Sequence, residues 1–255
     1  MEPNDLVFPD TVLVTGAAGA IGSALCRVLL DRGVKVIGTD REASPSGDEK
    51  KPVWVQADLE SADDRAKIVR EVRERSRGSL GIVHNASFVG DSELDGWVGP
   101  LESQSTKTWN RALGVSLTAA FEMTRELSST LRENPGSSIV HVSSIYASLG
   151  PDWSLYSDTS MGNPVAYGVA KAGLEQLTRW LAVDLAPNVR VNAISPGGLF
   201  RNQPQIFVDR YVGKVPLGRM ASEADVVGSV LFLLSNQSAY ITGQVITVDG
   251  GYTIT

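Results

Sequence analysis

The sequence predicts an α/β fold: a single doubly wound parallel sheet of about seven strands, with helices on both faces. Two observations carry this. Short runs rich in Val, Ile and Thr alternate with longer segments of helical period along the whole chain. No repeat, low-complexity tract or linker interrupts that alternation, and 255 residues with 42% apolar content suit one large domain, 1–255, better than two small ones.

Taken in order, TVLVTG (11–16) is the first strand. A helix over 20–32 places Ile21, Leu25, Val28 and Leu29 on one face and stops at Gly33. VKVIGTD (34–40) and VWVQADL (53–59) are the next strands, joined by the polar stretch ASPSGDEKK (43–51). A charged amphipathic helix follows over about 62–76. GIVHNAS (81–87), SSIVHVSS (137–144) and VRVNAIS (189–195) are further strands, with long helices near 105–133 and 164–186. Ser222 with Asp225 opens a last helix, and QVITVDGG (244–251) supplies the seventh strand. In such sheets ligands gather at the carboxyl ends of the strands, where each motif described below falls.

Bulk properties narrow the partners. A net charge of −6 argues against general affinity for nucleic acid or anionic membrane. Cys26 is the only cysteine, which excludes an intrachain disulfide and suits a reducing, cytoplasmic compartment. The start, MEPNDLVFPD, has no basic residue and no long apolar run, unlike a signal peptide, and no segment approaches the roughly 18 apolar residues of a membrane helix. Two histidines and one cysteine leave little for a zinc site, and no metal is expected.

TGAAGAIG (15–22) runs from the first strand into the first helix. Glycines there permit a tight turn and let backbone N–H groups approach a pyrophosphate at the positive helix end. Gly16, Gly19, Ala20 and Ile21 are the candidate contacts; on its own, this GxxGxxG spacing also fits a plain glycine-rich turn. Asp40 closes the second strand near the roughly 20-residue offset expected of an acid that binds ribose hydroxyls. A carboxylate there repels a 2′-phosphate, so NAD ranks above NADP; Arg41 is the counter-signal, since its guanidinium could pair with that phosphate.

Tyr167 and Lys171 stand four apart on a helix and share a face. A phenol with a pKa of about 10 is a poor base, and lowering it to about 7 needs about 4 kcal/mol. A neighbouring ammonium works in that direction, and so does the positive ring of an oxidised nicotinamide cofactor. Ser144, at the end of the fifth strand, would hold a substrate oxygen beside the tyrosine.

With TGAAGAIG, Asp58-Leu59, Asn85-Ala86-Ser87, Ser143-Ser144, Tyr167-Gly-Val-Ala-Lys171, NAISPG (192–197) and ITGQVITVDGG (241–251), the chain resembles a short-chain dehydrogenase/reductase of the compact type over essentially its full length. The resemblance implies a Rossmann fold and reversible hydride transfer between NAD(H) and an alcohol or ketone carbon. It assigns Asp58 and Leu59 to the adenine, and Asn85, Ala86 and Ser87 to the middle of the cofactor. Tyr167 becomes the acid/base, and Lys171 also holds the nicotinamide ribose. Pro196, Gly197 and Leu199 go to the nicotinamide end. The tail is similar to the segment through which such enzymes form oligomers, so a homo-oligomer, dimer or tetramer, is implied.

Four positions depart from the family pattern. Ala20 replaces a usual glycine, and His84 stands where asparagine is usual and reads as a structural substitution. Ser116 takes the place of an asparagine that helps seat a proton-relay water, so it is the fourth candidate catalytic residue, with an extra water expected to fill the gap. Arg201 occupies a position that is often threonine.

The long stretch GPDWSLYSDTSMGNP (150–164) separates the catalytic serine from the tyrosine. Its aromatics, hydroxyls and carboxylates suit a polyhydroxylated substrate, with Ser144, Tyr146, Trp153, Tyr156 and Arg201 as contacts. A second enlarged loop, 88–105, adds Trp97 and several acids. These enlarged segments are similar to those of short-chain reductases of polysaccharide or flagellin-glycan biosynthesis. Three alternatives stand beside a sugar dehydrogenase: loops that build subunit contacts around a small-ketone site, an epimerase or isomerase without net cofactor turnover, and a catalytically impaired NAD-binding protein.

Overall fold

The computed structural model describes residues 6–44, 50–88 and 94–255. Seven parallel strands form one sheet in the order β3-β2-β1-β4-β5-β6-β7. They are β1 (Thr11–Thr15), β2 (Lys35–Asp40), β3 (Val53–Gln56), β4 (Leu80–His84), β5 (Ser137–Val142), β6 (Val189–Pro196) and β7 (Val245–Val248). The strand order reverses direction between β1 and β4, and a crevice opens at such a switch point.

Alternation along the strands feeds two cores. Val12 and Val14 of β1 join Val83, Val140 and Ile194 on one face, covered by α1 (Ala20–Asp31) and α7 (Glu223–Leu234). Leu13 joins Leu80, Ile82, Ile139 and Val191 on the other, under α2 (Ala62–Arg75), α4 (Ala119–Glu133) and α5 (Val165–Asp184). Both faces are dry, so these strands read as nearly continuous apolar runs.

The expected helix over 105–133 is divided. An α3 segment, Thr106–Leu113, and α4 are joined by a wide π-type turn over Gly114–Thr118, which contains Ser116. Such turns concentrate at functional sites because they shift the following face of the helix. A further helix, α6 (Gln205–Val212), follows β6. Of the second enlarged loop, residues 89–93 lie outside the described residues.

The stretch between Ser144 and Tyr167 is a folded plug. A short 3-10 turn over Trp153–Leu155 buries Leu155 completely, and Leu155 packs with Ile145, Phe207, Tyr211 and Tyr252. Rings pack in sequence from Trp153 to Tyr252: Trp153, Tyr156 and Phe207 meet at tilted angles, and Phe207, Tyr211 and Tyr252 stack. Asp152 pairs with Lys214, and Asp158 with Arg210, so both carboxylates hold the plug on α6 and the residues after it. Among the described residues no helix is long and apolar enough to cross a membrane.

Candidate active site

The glycine turn after β1 is fixed by steric limits. Gly16 has φ +67, and a Cβ there would lie 2.9 Å from Ala86 Cα. A Cβ on Gly22 would lie 2.1 Å from the Gly16 carbonyl oxygen, so the first turn of α1 can sit this close only as glycine. The N-cap residue Gly19 offers no side-chain cap, which leaves the first N–H groups of α1 to a ligand.

Thr15, which the motifs did not single out, ties this turn to the end of β4. Its Oγ1 accepts from Asn85 N at 3.1 Å and Ala86 N at 3.0 Å, while Asn85 Nδ2 donates to the carbonyls of Thr15 and Gly16 at 3.0 and 3.1 Å. The Asn85 side chain is therefore committed to bracing the glycine turn.

A cavity of about 470 Å³ runs along these strand ends. Gly16, Gly19, Ala20, Ile21, Asp40, Arg41, Asp58, Leu59, Asn85, Ala86 and Ser87 all line it, as the sequence predicts. Asp40 accepts from Ala18 N at 3.0 Å through one carboxylate oxygen and from Glu42 N at 3.2 Å through the other. Arg41 points at Glu42, 3.5 Å away, and both are largely exposed. The open N–H groups, the glycine cradle and a carboxylate at the far end together fit a dinucleotide.

Three expected positions fall elsewhere. Pro196, Gly197 and Leu199 do not line this cavity. Gly197 borders a smaller cleft with Tyr211, Arg219 and Asp249, and Leu199 bridges to Ala221 while packing into the core under α7. Arg201, expected among the substrate contacts, instead lines the dinucleotide cavity and pairs with Glu223. The chain turns back after β6 and carries it there, a path no local motif announces.

Ser144, Tyr167 and Lys171 converge at the ends of β5 and α5. Lys171 is 2% exposed, and its Nζ donates to the Val142 carbonyl at 2.7 Å. Its ammonium lies 5.6 Å from the centre of the Tyr167 ring. Burial lowers its pKa to about 8, so it remains charged at neutral pH. Ser143 donates to the Lys171 carbonyl at 3.2 Å and to Glu175 at 3.1 Å, pinning α5 against β5.

Burial raises the Tyr167 pKa above that of a free phenol; a hydrogen bond with Ser144 opposes this, and the nearby Tyr156 adds to it. Lys171 does not offset this desolvation.

Ser116 is buried, but its hydrogen bonds go elsewhere than a lysine relay. Its Oγ accepts from Phe88 N at 3.0 Å and lies 3.3 Å from Ser87 Oγ. It thus fastens the segment after β4. Trp97, expected in a substrate loop, is buried edge-on against Phe88 in the cluster that supports Tyr167. His84 is structural, as expected: Nε2 meets Thr124 Oγ1 at 3.1 Å, the ring lies 5.2 Å from His141, and burial lowers its pKa to about 3.

Of the expected substrate contacts, Tyr146 and Tyr156 join hydroxyls at 2.7 Å near Ser144 and Tyr167, with Trp153 against Tyr156. They border a second cavity of about 690 Å³ whose other walls include Leu149, Pro151, Met161, Val165 and Val169.

A family model described as enoyl-(acyl carrier protein) reductase matches residues 16–253. The chain is 33% identical to a probable galactose dehydrogenase of Rhizobium meliloti, over 96% of each chain. It is 28% identical to a post-translational flagellin modification protein of Campylobacter coli, over 99% of each. A crystal structure of a short-chain dehydrogenase from Leptospira borgpetersenii with bound NAD+ superposes with a TM-score of 0.84 at 33% identity, covering 98% of this chain and 94% of that one.

Proposed function

The chain belongs to the short-chain dehydrogenase/reductase family and is an NAD(P)-dependent oxidoreductase; from that premise we propose that it interconverts a secondary alcohol and a ketone, using NAD(H). The observation that carries this is the convergence of Ser144, Tyr167 and Lys171 at the carboxyl end of β5, the same edge of the sheet at which the ends of β1 to β4 line the cavity of about 470 Å³. Bound NAD(H) supplies the hydride acceptor in one direction and the hydride donor in the other. Ser144 holds the substrate oxygen, and Tyr167 takes its proton on oxidation or returns it on reduction. The buried charge of Lys171 favours the phenolate whenever the proton leaves.

Preference for NAD over NADP rests on Asp40 and Glu42, two carboxylates lining the ribose end, and on the NAD+ bound to the Leptospira relative. For the substrate we infer a sugar-like alcohol. Aromatic faces at Trp153 and Tyr156, with the paired hydroxyls of Tyr146 and Tyr156, suit a polyhydroxylated ring, and the galactose dehydrogenase and flagellin modification relatives act as support. A second reading has its own observation: the apolar walls of the larger cavity, with Asp152 and Asp158 committed to ion pairs, favour a small alicyclic or aliphatic ketone.

Following NADH absorbance with hexoses, ketosugars and nucleotide sugars against simple ketones separates the two. Turnover confined to apolar ketones contradicts the sugar reading. A homo-oligomer, dimer or tetramer, is part of the proposal; Phe121 and Trp180, exposed along one groove of α4 and α5, support it, and light scattering measures it. A cytoplasmic location is consistent with a single buried cysteine.

A further inference from the structure

The dinucleotide cavity carries an imbalance of charge. Among the described residues lining it are four carboxylates, Asp40, Glu42, Asp58 and Glu60, and two cations, Arg41 and Arg201; Glu60 is held by Arg111 from outside the lining, which still leaves three carboxylates to two cations. Arg41 follows Asp40 at the ribose end and is turned toward Glu42. A pyrophosphate seated at the start of α1 would meet backbone N–H groups there, and a helix end supplies only about half a charge. Arg201 is the remaining cation of the cavity.

Its mounting is firm at the backbone and loose at the side chain. Arg201 N donates to Gln203 Oε1 at 2.7 Å, and Gln203 Nε2 donates to the Leu199 carbonyl at 2.7 Å. Asn202 takes a left-handed conformation, φ 57, to close this turn. Next to it, Phe200 N bonds to the Ala221 carbonyl at 2.9 Å. The guanidinium, by contrast, is 40% exposed and pairs with Glu223, the first residue of α7, whose side chain is 37% exposed. Surface pairs of this kind contribute little and exchange readily, whereas an arginine offers two parallel N–H groups to a phosphate.

We propose that Arg201 is the pyrophosphate clamp of this site and that Glu223 is its resting partner. The proposal rests on the NAD(H) reading above. On loading, the guanidinium leaves Glu223 and turns to the diphosphate while the backbone turn that carries it stays in place. The competition between Glu223 and the diphosphate then sets affinity for every ligand that carries a diphosphate, and for no ligand that lacks one.

The test measures dissociation constants of NADH and ADP-ribose, with adenosine as the ligand lacking phosphate, for the full chain and its variants. Arg201→Met keeps the aliphatic stem; it is expected to weaken NADH and ADP-ribose by about 10- to 100-fold, the worth of a charged hydrogen bond, and to leave adenosine unchanged. Arg201→Lys is expected to recover part of the loss. Glu223→Gln is expected to tighten ADP-ribose, and this gain is expected to vanish when Arg201→Met is also present. A gain that persists in the double variant reflects general charge removal and overturns the exchange. Unchanged ADP-ribose binding in Arg201→Met, or equal weakening of adenosine, overturns the clamp while the NAD(H) reading stands. If the unaltered protein binds neither NADH nor ADP-ribose, both fall.

Discussion

Lys171 and the two buried histidines show how burial sets protonation at single positions. The ammonium of Lys171 has the Val142 carbonyl beside it and stays charged at neutral pH, while His84 and His141 are held neutral, with His141 shifted well below its usual range by burial, His84 and Lys171. Their folded pKa values lie below the unfolded value of about 6.5. The unfolded chain therefore binds more protons, and stability is present above about pH 6.5 and falls as pH drops toward 3. Each histidine contributes a slope of up to about 1.4 kcal/mol per pH unit in that window. His84→Asn, which keeps a polar group near Thr124, is expected to lessen the slope by that amount; urea titrations at pH 7, 6 and 5 measure it, and parallel curves for the two proteins would refute it. Ser116→Ala leaves the Phe88 N–H without its acceptor and is expected to cost about 1–3 kcal/mol in the same titrations.

At the level of elements, the glycine turn and the plug make opposite demands. Gly22→Ala forces a methyl group into the Gly16 carbonyl and is expected to abolish NADH binding, while Gly114→Ala, with open space around its Cα, is expected to leave it intact; fluorescence titration reads both. The plug over 150–164 is held by its rings more than by its charges. Phe207→Ala is expected to cost about 3–5 kcal/mol, and Lys214→Ala, at a half-exposed ion pair, less than about 1 kcal/mol, as thermal unfolding will measure. The strand ends and the Tyr167–Lys171 helix were legible in the sequence because their chemistry depends on fixed local spacing. The roles of Asp152, Trp97 and Arg201 were not, since a carboxylate, an indole and a guanidinium look alike in sequence whether they face a ligand or a neighbouring element. The break of the 105–133 helix at Gly114–Thr118 was hidden for a related reason: its residues keep helical period through the wider turn.

For the whole molecule, seven strands in one sheet with cores on both faces predict cooperative behaviour. We propose that 1–255 is one domain, expected to unfold in one transition that far-UV circular dichroism and tryptophan fluorescence trace at the same midpoint; separated midpoints would refute it. The parallel sheet and the glycine turn followed from alternation and motif, whereas the character of the substrate cavity depends on which side of the plug faces inward, which only the packed molecule determines. The central claim is that Tyr167 exchanges a proton with an alcohol or ketone oxygen beside NAD(H). The most direct test compares Tyr167→Phe with the unaltered protein on whichever substrate the screen identifies, measuring NADH binding and turnover together. The account predicts binding within a few-fold and turnover reduced by about 10²- to 10⁴-fold; turnover retained in the phenylalanine variant would contradict it.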